Sequence, residues 1–168
     1  MSGDTRLSPV GGLQRPVIET LWQLYRHDLS EFRGTMPDAA GLYGPGRLPA
    51  YLDDPDRRAY LIFRGLTVAG FAVIRGVLHE PRVIGEFFVV RGVRREHVGH
   101  DAAQQLLRMH PGQWEIAFQE ENPAAARFWR RVATDAVGTA WTEERRPVPG
   151  KPEIPPDTWL LVTTGRGE

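Results

Sequence analysis

The sequence predicts a mixed α/β (α+β) fold in which about four helices flank a mostly antiparallel sheet of seven strands. The first observation is that three apolar runs follow one another with only short turns between them, as in an antiparallel meander. The second is that a whole helical segment separates the third run from the next strand, so these two strands should be parallel. A further helix and two more strand-like runs complete the chain.

Composition limits the function before any motif is considered. The 168 residues suit one domain, 1–168, and 21 basic residues balance 21 acidic ones, which argues against a dedicated nucleic-acid or membrane-surface protein. The absence of cysteine excludes disulfides, thiolate metal ligands and an acyl-cysteine intermediate. No apolar run approaches the length of a membrane span. We therefore expect a cytoplasmic protein, monomer or homodimer, without membrane contact or a metal site.

In the N-terminal third, Thr5–Val10 can form a short strand and Pro16–Phe32 a helix, because apolar residues recur there at three- and four-residue steps. The Gly- and Pro-rich segment Gly34–Gly46 predicts an irregular or short helical connection that could face a substrate. Ala59–Phe63 and Thr67–Ile74 then read as a hairpin.

The centre and C-terminal part contain two more helices and four strands. The apolar run from Val83 to Val90 predicts a strand, followed by a loop and a helix over Val98–Met109. A strand is expected at Trp114–Phe118, and Asn122 should cap a helix that begins with Pro123 and reaches at least Val132. The last two predicted strands are Ala136–Arg145 and Asp157–Thr164, joined by a Pro-rich loop.

The turn before the Val98–Met109 helix combines features that bind anions. The first amides of a helix lack intrahelical partners, and the helix dipole places partial positive charge there. Glycines allow close approach of a ligand to the backbone at two positions. The side chains that add positive charge are Arg91, Arg94, Arg95, His97 and His100, and the glycines are Gly92 and Gly99. A phosphate-binding turn and an ordinary connection with solvated arginines are both compatible with this pattern.

The order of elements resembles the GNAT superfamily of N-acetyltransferases over nearly the whole chain. The family motif Q/R-x-x-G-x-G/A at a helix start is similar to Arg94-Arg95-Glu96-His97-Val98-Gly99. The family's E-N-x-x-A-x-x-F-Y helix is similar to the segment from Glu121 through Ala125 to Trp129. The N-terminal run LWQLYRHDLSEF also looks like the opening helix of a bacterial branch of that superfamily.

This resemblance implies a sheet splayed open between the Val83 strand and the Trp114 strand, with acetyl-CoA or another acyl-CoA in the gap. The pantetheine would pair with backbone near Val89 and Val90, and the pyrophosphate would lie on the amides from about Arg95 to His100. The donor-binding residues implied are Phe88, Val89, Val90, Arg94, Arg95, His97, Val98, Gly99, His100, Asn122 and Phe128.

Two positions depart from the family pattern. His97 stands where the motif has its first glycine, beside the acidic Glu96, so a side chain occupies space that a diphosphate would approach. Trp129 stands where a tyrosine often protonates the leaving thiolate, and an indole cannot supply that proton. Trp129 is therefore expected to pack in the core or to form a wall of the acyl pocket.

Glu86 is the candidate catalytic base, because it is a carboxylate inside an otherwise apolar strand, where burial would raise its pKa. Since side chains alternate along a strand, Glu86 could instead face a structural partner such as an arginine. The resemblance places the amine acceptor near the first helix and the connection after it. The expected acceptor contacts are Tyr25, His27, Asp28, Glu31, Tyr43 and Trp129, with Asp28 and Glu31 forming an acidic wall for a cationic amine.

Three functions follow from these observations. The first is direct transfer of an acyl group, in the simplest case acetyl, from a CoA thioester to a primary amine of a small molecule or peptide. The second keeps the fold but uses a different donor, such as an aminoacyl-tRNA held by arginines of the two central helices. The arginines concerned are Arg94, Arg95, Arg108, Arg127, Arg130 and Arg131. The third is a non-catalytic module that binds acyl-CoA or works through contacts.

Overall fold

A computed structural model describes residues 3–165, which form one seven-stranded sheet, four α-helices and two 3-10 turns. The strands are β1 (Thr5–Pro9), β2 (Arg57–Arg64), β3 (Thr67–Arg75), β4 (Arg82–Val89), β5 (Gly112–Phe118), β6 (Thr142–Arg146) and β7 (Asp157–Thr164). The helices are α1 (Arg15–Arg33), α2 (Leu48–Asp53), α3 (Val98–Met109) and α4 (Pro123–Val137), and the 3-10 turns are Gly12–Gln14 and Arg91–Glu96.

The strands lie in the order β1-β2-β3-β4-β5-β7-β6. All neighbouring strands are antiparallel except β4 and β5, which are parallel. Helix α3 connects these two strands and carries the chain back to the end of the sheet at which β4 began, so β5 runs in the same direction as β4. The predicted mixed, mostly antiparallel sheet is confirmed. So is the N-cap of α4, where Asn122 Oδ1 accepts a hydrogen bond from the Ala125 N–H at 3.1 Å.

One sequence prediction about the elements was wrong. The segment 136–141 does not begin a strand: α4 continues to Val137, and β6 starts only at Thr142. The helix continues because Ala136 and Val137 extend its apolar face onto the core, and it ends where Gly138 adopts a φ of 65°. The Gly34–Gly46 connection is irregular, which is one of the two forms predicted for it, and the short helix α2 follows it at Leu48–Asp53.

The two faces of the sheet bury different clusters. Helices α3 and α4 cover one face, where the cluster includes Ile84, Leu106, Leu107, Trp114, Ile116, Trp129 and Val132. Helices α1 and α2 cover the other face, where the cluster includes Ile18, Trp22, Tyr25, Leu48, Tyr51, Phe71 and Phe88. Side chains alternate along β4, so neighbouring residues of this strand belong to opposite clusters. No helix among residues 3–165 is long and apolar enough to cross a membrane.

The sheet opens between β4 and β5. Their parallel pairing covers only Arg82–Ile84 against Trp114–Ile116, although β4 continues to Val89. The pairing ends at Gly85, where a β-bulge shifts the register of β4 against β3. A Cβ on Gly85 would lie only 1.9 Å from the Tyr51 hydroxyl, so only glycine allows the Tyr51 ring to pack against the bulge. The bulge turns the rest of β4 away from β5 and forms the predicted gap.

Candidate active site

The open edge of β4 presents the backbone of Phe87 and Val89 to the gap. The Val90 N–H donates to the Ala69 carbonyl of β3 at 2.8 Å, and backbone groups alternate sides along a strand. The backbone N–H and C=O groups of Val89 therefore point away from β3, and by the same alternation so do those of Phe87. This corrects the expectation for Val90, whose N–H already pairs within the sheet and does not face the gap.

The carbonyl of Val89 has a side-chain partner. The Arg94 guanidinium donates from Nε to this oxygen at 2.8 Å and lies over the Phe88 ring, 5.7 Å from its centroid. Arg94 thus reaches back from the turn to the end of β4. A ligand that used the Val89 carbonyl would have to displace this hydrogen bond.

The helix start next to the gap has the geometry expected of an anion site. His97 adopts the left-handed conformation, with φ 63° and ψ 10°, and is the one non-glycine residue with positive φ within residues 3–165. The first intrahelical bond of α3 runs from the Asp101 N–H to the His97 carbonyl at 2.9 Å. The amides of Val98, Gly99 and His100 precede that bond and have no partner within the helix. His97 thus takes the backbone shape that glycine adopts most easily.

The arginines of the turn are paired with a carboxylate of α1. Asp28 accepts from Arg91 at 2.8 Å and 3.1 Å, and from Arg94 through its other oxygen. The prediction that Asp28 and Glu31 together form an acidic wall is therefore wrong for Asp28, because two guanidinium groups already compensate its charge. Asp28 instead ties α1 to the turn that follows β4.

Two further polar side chains of the turn, Glu96 and His100, also contact residues of neighbouring elements. Glu96, which would repel an anion, pairs with Arg64 of β2 at 2.5 Å. His100 contacts Asp135 of α4 at 2.7 Å, so its ring is directed toward α4. Arg95 and His97 are exposed. Within residues 3–165 no group of three or more His, Asp or Glu side chains is arranged to hold a metal ion.

An aromatic wall closes the α4 side of the gap. Phe128 and Trp129 pack edge to face with ring centroids 4.7 Å apart, and Phe87 of β4 lies 5.8 Å and 5.1 Å from them. Gly99 lies beneath Phe128, where a Cβ would come within 3.3 Å of Val89 and 3.5 Å of the ring. Trp129 is 7% exposed, as expected of a packed wall.

Glu86 lies on the α1 face of β4, opposite Val73 of β3. Its carboxylate accepts a hydrogen bond from the Tyr25 hydroxyl of α1, so a neutral donor takes the place of the arginine that the sequence left open as an alternative. Burial raises the pKa of Glu86 to about 7, because the charged carboxylate loses solvation. A carboxylate with this pKa can accept and release a proton near neutral pH.

The predicted acceptor residues separate into two groups. Tyr25 is only 8% exposed and points to Glu86 from the inner side of α1. His27, Glu31 and Tyr43 instead line an open groove of about 1000 Å³ between the outer side of α1 and the 34–43 segment. Gln23 fixes this segment through reciprocal hydrogen bonds of 2.8 Å with the Tyr43 backbone. The groove and the Glu86 carboxylate thus lie on different sides of α1.

The arginines expected to hold a polynucleotide do not form a free patch. Arg130 pairs with Glu120 and Glu143, each at 2.6 Å. Arg131 lies 3.6 Å from Asp135, and Arg94 pairs with Asp28. Three of the six arginines are thus compensated by carboxylates, which weakens the electrostatic case for tRNA.

Two functional features had little signal in the sequence. Tyr51 is a buried tyrosine whose ring supports the Gly85 bulge that opens the sheet. Only an isolated glycine inside a strand pattern pointed there. The pairing of Tyr25 with Glu86 had no signal, because the two residues are 61 positions apart.

Solved structures similar to this chain are acetyltransferases. An acetyltransferase from Thermus thermophilus has a TM-score of 0.68 at 17% identity, covering 97% of this chain and 99% of the other. A GNAT-family acetyltransferase from Bacillus cereus has a TM-score of 0.64 at 11% identity, covering 98% and 100%. The chain has the GNAT fold. The ribosomal-protein-S18-alanine N-acetyltransferase of Escherichia coli has a TM-score of 0.62 at 12% identity, covering 98% and 97%.

The GNAT fold confirms the architecture that the sequence resemblance implied, including the position of the splayed strands. At these identities the likeness concerns the backbone alone. No protein-family model matches the sequence, and no curated protein does. The roles of individual residues therefore depend on the geometry described above.

Proposed function

We propose that this protein is an N-acyltransferase that moves an acyl group, in the simplest case acetyl, from a CoA thioester to a primary amine. The observation that carries the proposal is the position of Glu86 in a GNAT fold. Its carboxylate is mostly buried, has a pKa of about 7, and lies on the strand whose next residues border the sheet gap. A buried carboxylate with a raised pKa beside a cleft is a candidate functional group.

The gap offers suitable groups for an acyl-CoA donor. The outward backbone of Phe87 and Val89 can pair with an amide-containing chain, as an added strand would. The first backbone N–H groups of α3 can donate hydrogen bonds to a diphosphate. Arg94 can also bind that anion if it leaves its present partners, the Val89 carbonyl and the Asp28 carboxylate. The aromatic wall of Phe87, Phe128 and Trp129 would cover the apolar part of the donor.

The proposed step is a direct displacement at the thioester carbonyl. The neutral amine nitrogen attacks the carbonyl carbon, an N–C bond forms, and the C–S bond breaks to release the CoA thiolate. The proton lost by the amine passes to the Glu86 carboxylate, and the thiolate takes up one proton to become the thiol. Trp129 cannot donate that proton, so it comes from another acid or from solvent after the thiolate has left.

The acceptor is proposed to be a small-molecule or peptidyl amine. The Escherichia coli neighbour is named as an N-acetyltransferase of an alanine of ribosomal protein S18, which is a protein acceptor. A primary amine is the group whose deprotonation Glu86 can assist.

Thiol release measures this reaction directly. The purified protein is incubated with acetyl-CoA and panels of small amines and peptides with free N-termini, and free thiol is detected with a chromogenic reagent. Because the chain has no cysteine, every thiol detected comes from CoA. Calorimetry with acetyl-CoA is run in parallel. Saturable binding with amine-dependent release supports the proposal, whereas salt-sensitive tRNA retention without acyl-CoA binding would favour the aminoacyl-tRNA donor.

A further inference from the structure

Among the described residues, the hydroxyl of Tyr25 is the one protein group that donates a hydrogen bond to the side-chain carboxylate of Glu86. Tyr25 comes from α1, and Glu86 from the middle of β4, so the contact joins a helix to the strand that borders the gap. The hydrogen bond uses Oε2 of the carboxylate. The second oxygen, Oε1, stays available to a proton arriving from another molecule.

The Tyr25 ring is held by an aromatic cage. Trp22 of the same helix lies 5.3 Å away, Phe71 of β3 meets the ring edge to face at 5.4 Å, and Phe88 of β4 lies at 5.9 Å. A tyrosine side chain has only two rotatable bonds before the hydroxyl, so a fixed ring also fixes the position of its oxygen. The hydroxyl is therefore presented to Glu86 in one place.

The position of α1 is fixed again one turn further along. Asp28 accepts hydrogen bonds from Arg91 and Arg94, which belong to the turn directly after β4. The helix is thus attached to β4 through Tyr25 and to the following turn through Asp28. These two attachments leave little freedom for the Tyr25 hydroxyl to move relative to Glu86.

We propose that Tyr25 is a positioning residue that holds the Glu86 carboxylate with Oε2 occupied and Oε1 directed to the amine of the acceptor. This inference rests on the proposed role of Glu86 as the proton acceptor. Tyr25 keeps its own proton throughout the reaction, because it donates to Oε2 both when the Glu86 carboxyl group is ionised and when it is protonated on Oε1. The role differs from filling space, because a phenylalanine would fill the same cage.

The hydrogen bond should also act on the titration of Glu86. A donor to the ionised carboxylate favours the charged form, which opposes the effect of burial. Removing the hydroxyl should therefore move the titration midpoint of Glu86 upward by about one pH unit, from the usual strength of a hydrogen bond to a charged group. A ring that only fills space would leave the midpoint where it is.

The test compares Tyr25→Phe with Tyr60→Phe. Tyr60 is a suitable control because its ring is also buried and its hydroxyl also makes a side-chain hydrogen bond, to His110 at 2.7 Å, on the other face of the sheet. The Glu86 carboxyl is followed by carbon NMR against pH in the free protein, and kcat is measured against pH at saturating donor and acceptor. We expect an upward shift in both midpoints for Tyr25→Phe only, with kcat lowered more than KM is raised.

A double variant separates positioning from a folding defect. If Tyr25 acts through Glu86, adding Tyr25→Phe to Glu86→Gln should lower kcat by less than twofold further. An unchanged Glu86 midpoint in Tyr25→Phe, or additive losses in the double variant, would overturn the inference. The carboxyl titration needs no turnover. If the wild-type protein acetylates no amine, the proposed function fails, while the titration still reports whether Tyr25 controls Glu86.

Discussion

Glu86 and the Arg91–His100 turn are close together in the chain, but their surroundings differ: Glu86 is mostly buried, whereas the turn is exposed and charged. Glu86 is mostly buried and receives one neutral hydrogen bond from the Tyr25 hydroxyl, and burial raises its pKa because the charged carboxylate loses solvation. The turn is exposed, and two of its three arginines, Arg91 and Arg94, pair with the carboxylate of Asp28. Substitutions at the buried centre should therefore have large effects that depend on pH, whereas those in the turn should be small and depend on salt.

The largest effect is expected for Glu86→Gln. The amide keeps the size of the side chain but cannot accept a proton, so kcat should fall by about 100- to 10,000-fold while acetyl-CoA binding stays within about twofold. Steady-state thiol release and calorimetry measure the two quantities. Equal turnover in the variant would remove Glu86 from the reaction and leave the buried centre without a function.

The same variant should change how stability depends on pH. The Glu86 carboxyl loses its proton near pH 4.5 in the unfolded chain but near pH 7 when folded, so the unfolded state binds fewer protons in that window. Wild-type stability should fall relative to Glu86→Gln as the pH rises from about 4.5 to about 7, by up to about 3 kcal/mol. Urea unfolding at several pH values measures this difference. A constant difference would mean that the carboxyl is not desolvated.

In the turn, Asp28→Asn should release Arg91 and Arg94 for an anionic ligand. We expect acetyl-CoA to bind about two- to fivefold more tightly at low salt, with the gain disappearing at high salt, and the folded protein to lose up to about 1 kcal/mol. Glu31→Gln is the matched control, since it removes a carboxylate one turn further along α1 that forms no ion pair within residues 3–165. Weaker donor binding in Asp28→Asn would show that the arginines need Asp28 to hold their positions.

The smallest effect is expected for His97→Gly. Glycine adopts the observed φ of 63° without a steric penalty, although it loses more entropy on folding, so the net gain should be about 0.5 kcal/mol. His97→Ala keeps the Cβ and should give no gain. Chemical denaturation of both variants tests the difference, and a loss of stability in His97→Gly would indicate that the imidazole makes a stabilising contact.

The sequence predicted most of the architecture because local signals carry it. Apolar periodicity located the long helices and the strands, and Asn122 followed by Pro123 marked the start of α4. The helix between β4 and β5 implied their parallel pairing. Helix α2 was not located because six residues are too short for a periodic signal, and the end of α4 was misjudged because Ala136 and Val137 suit a strand as well as a helix.

The candidate site was predicted less completely, since its decisive contacts are distant in sequence. The burial of Glu86 within an apolar strand was predicted and is observed, and its role as a base stays a prediction; its partner Tyr25 comes from another element. Asp28 looked like a free carboxylate because the arginines that compensate it lie 63 and 66 positions further along the chain. Periodicity reports which side of a helix is buried and says nothing of which charges meet across a fold.

Burial raises the pKa of Glu86, and we propose that this carboxylate accepts the proton of the amine during acyl transfer. The most direct test is the pH dependence of kcat for the wild-type protein and Glu86→Gln at saturating acetyl-CoA and acceptor. The wild-type rate should fall tenfold per pH unit below a midpoint near pH 7, and this limb should be missing in the variant. A wild-type profile without that limb, or the same limb in Glu86→Gln, would contradict the claim.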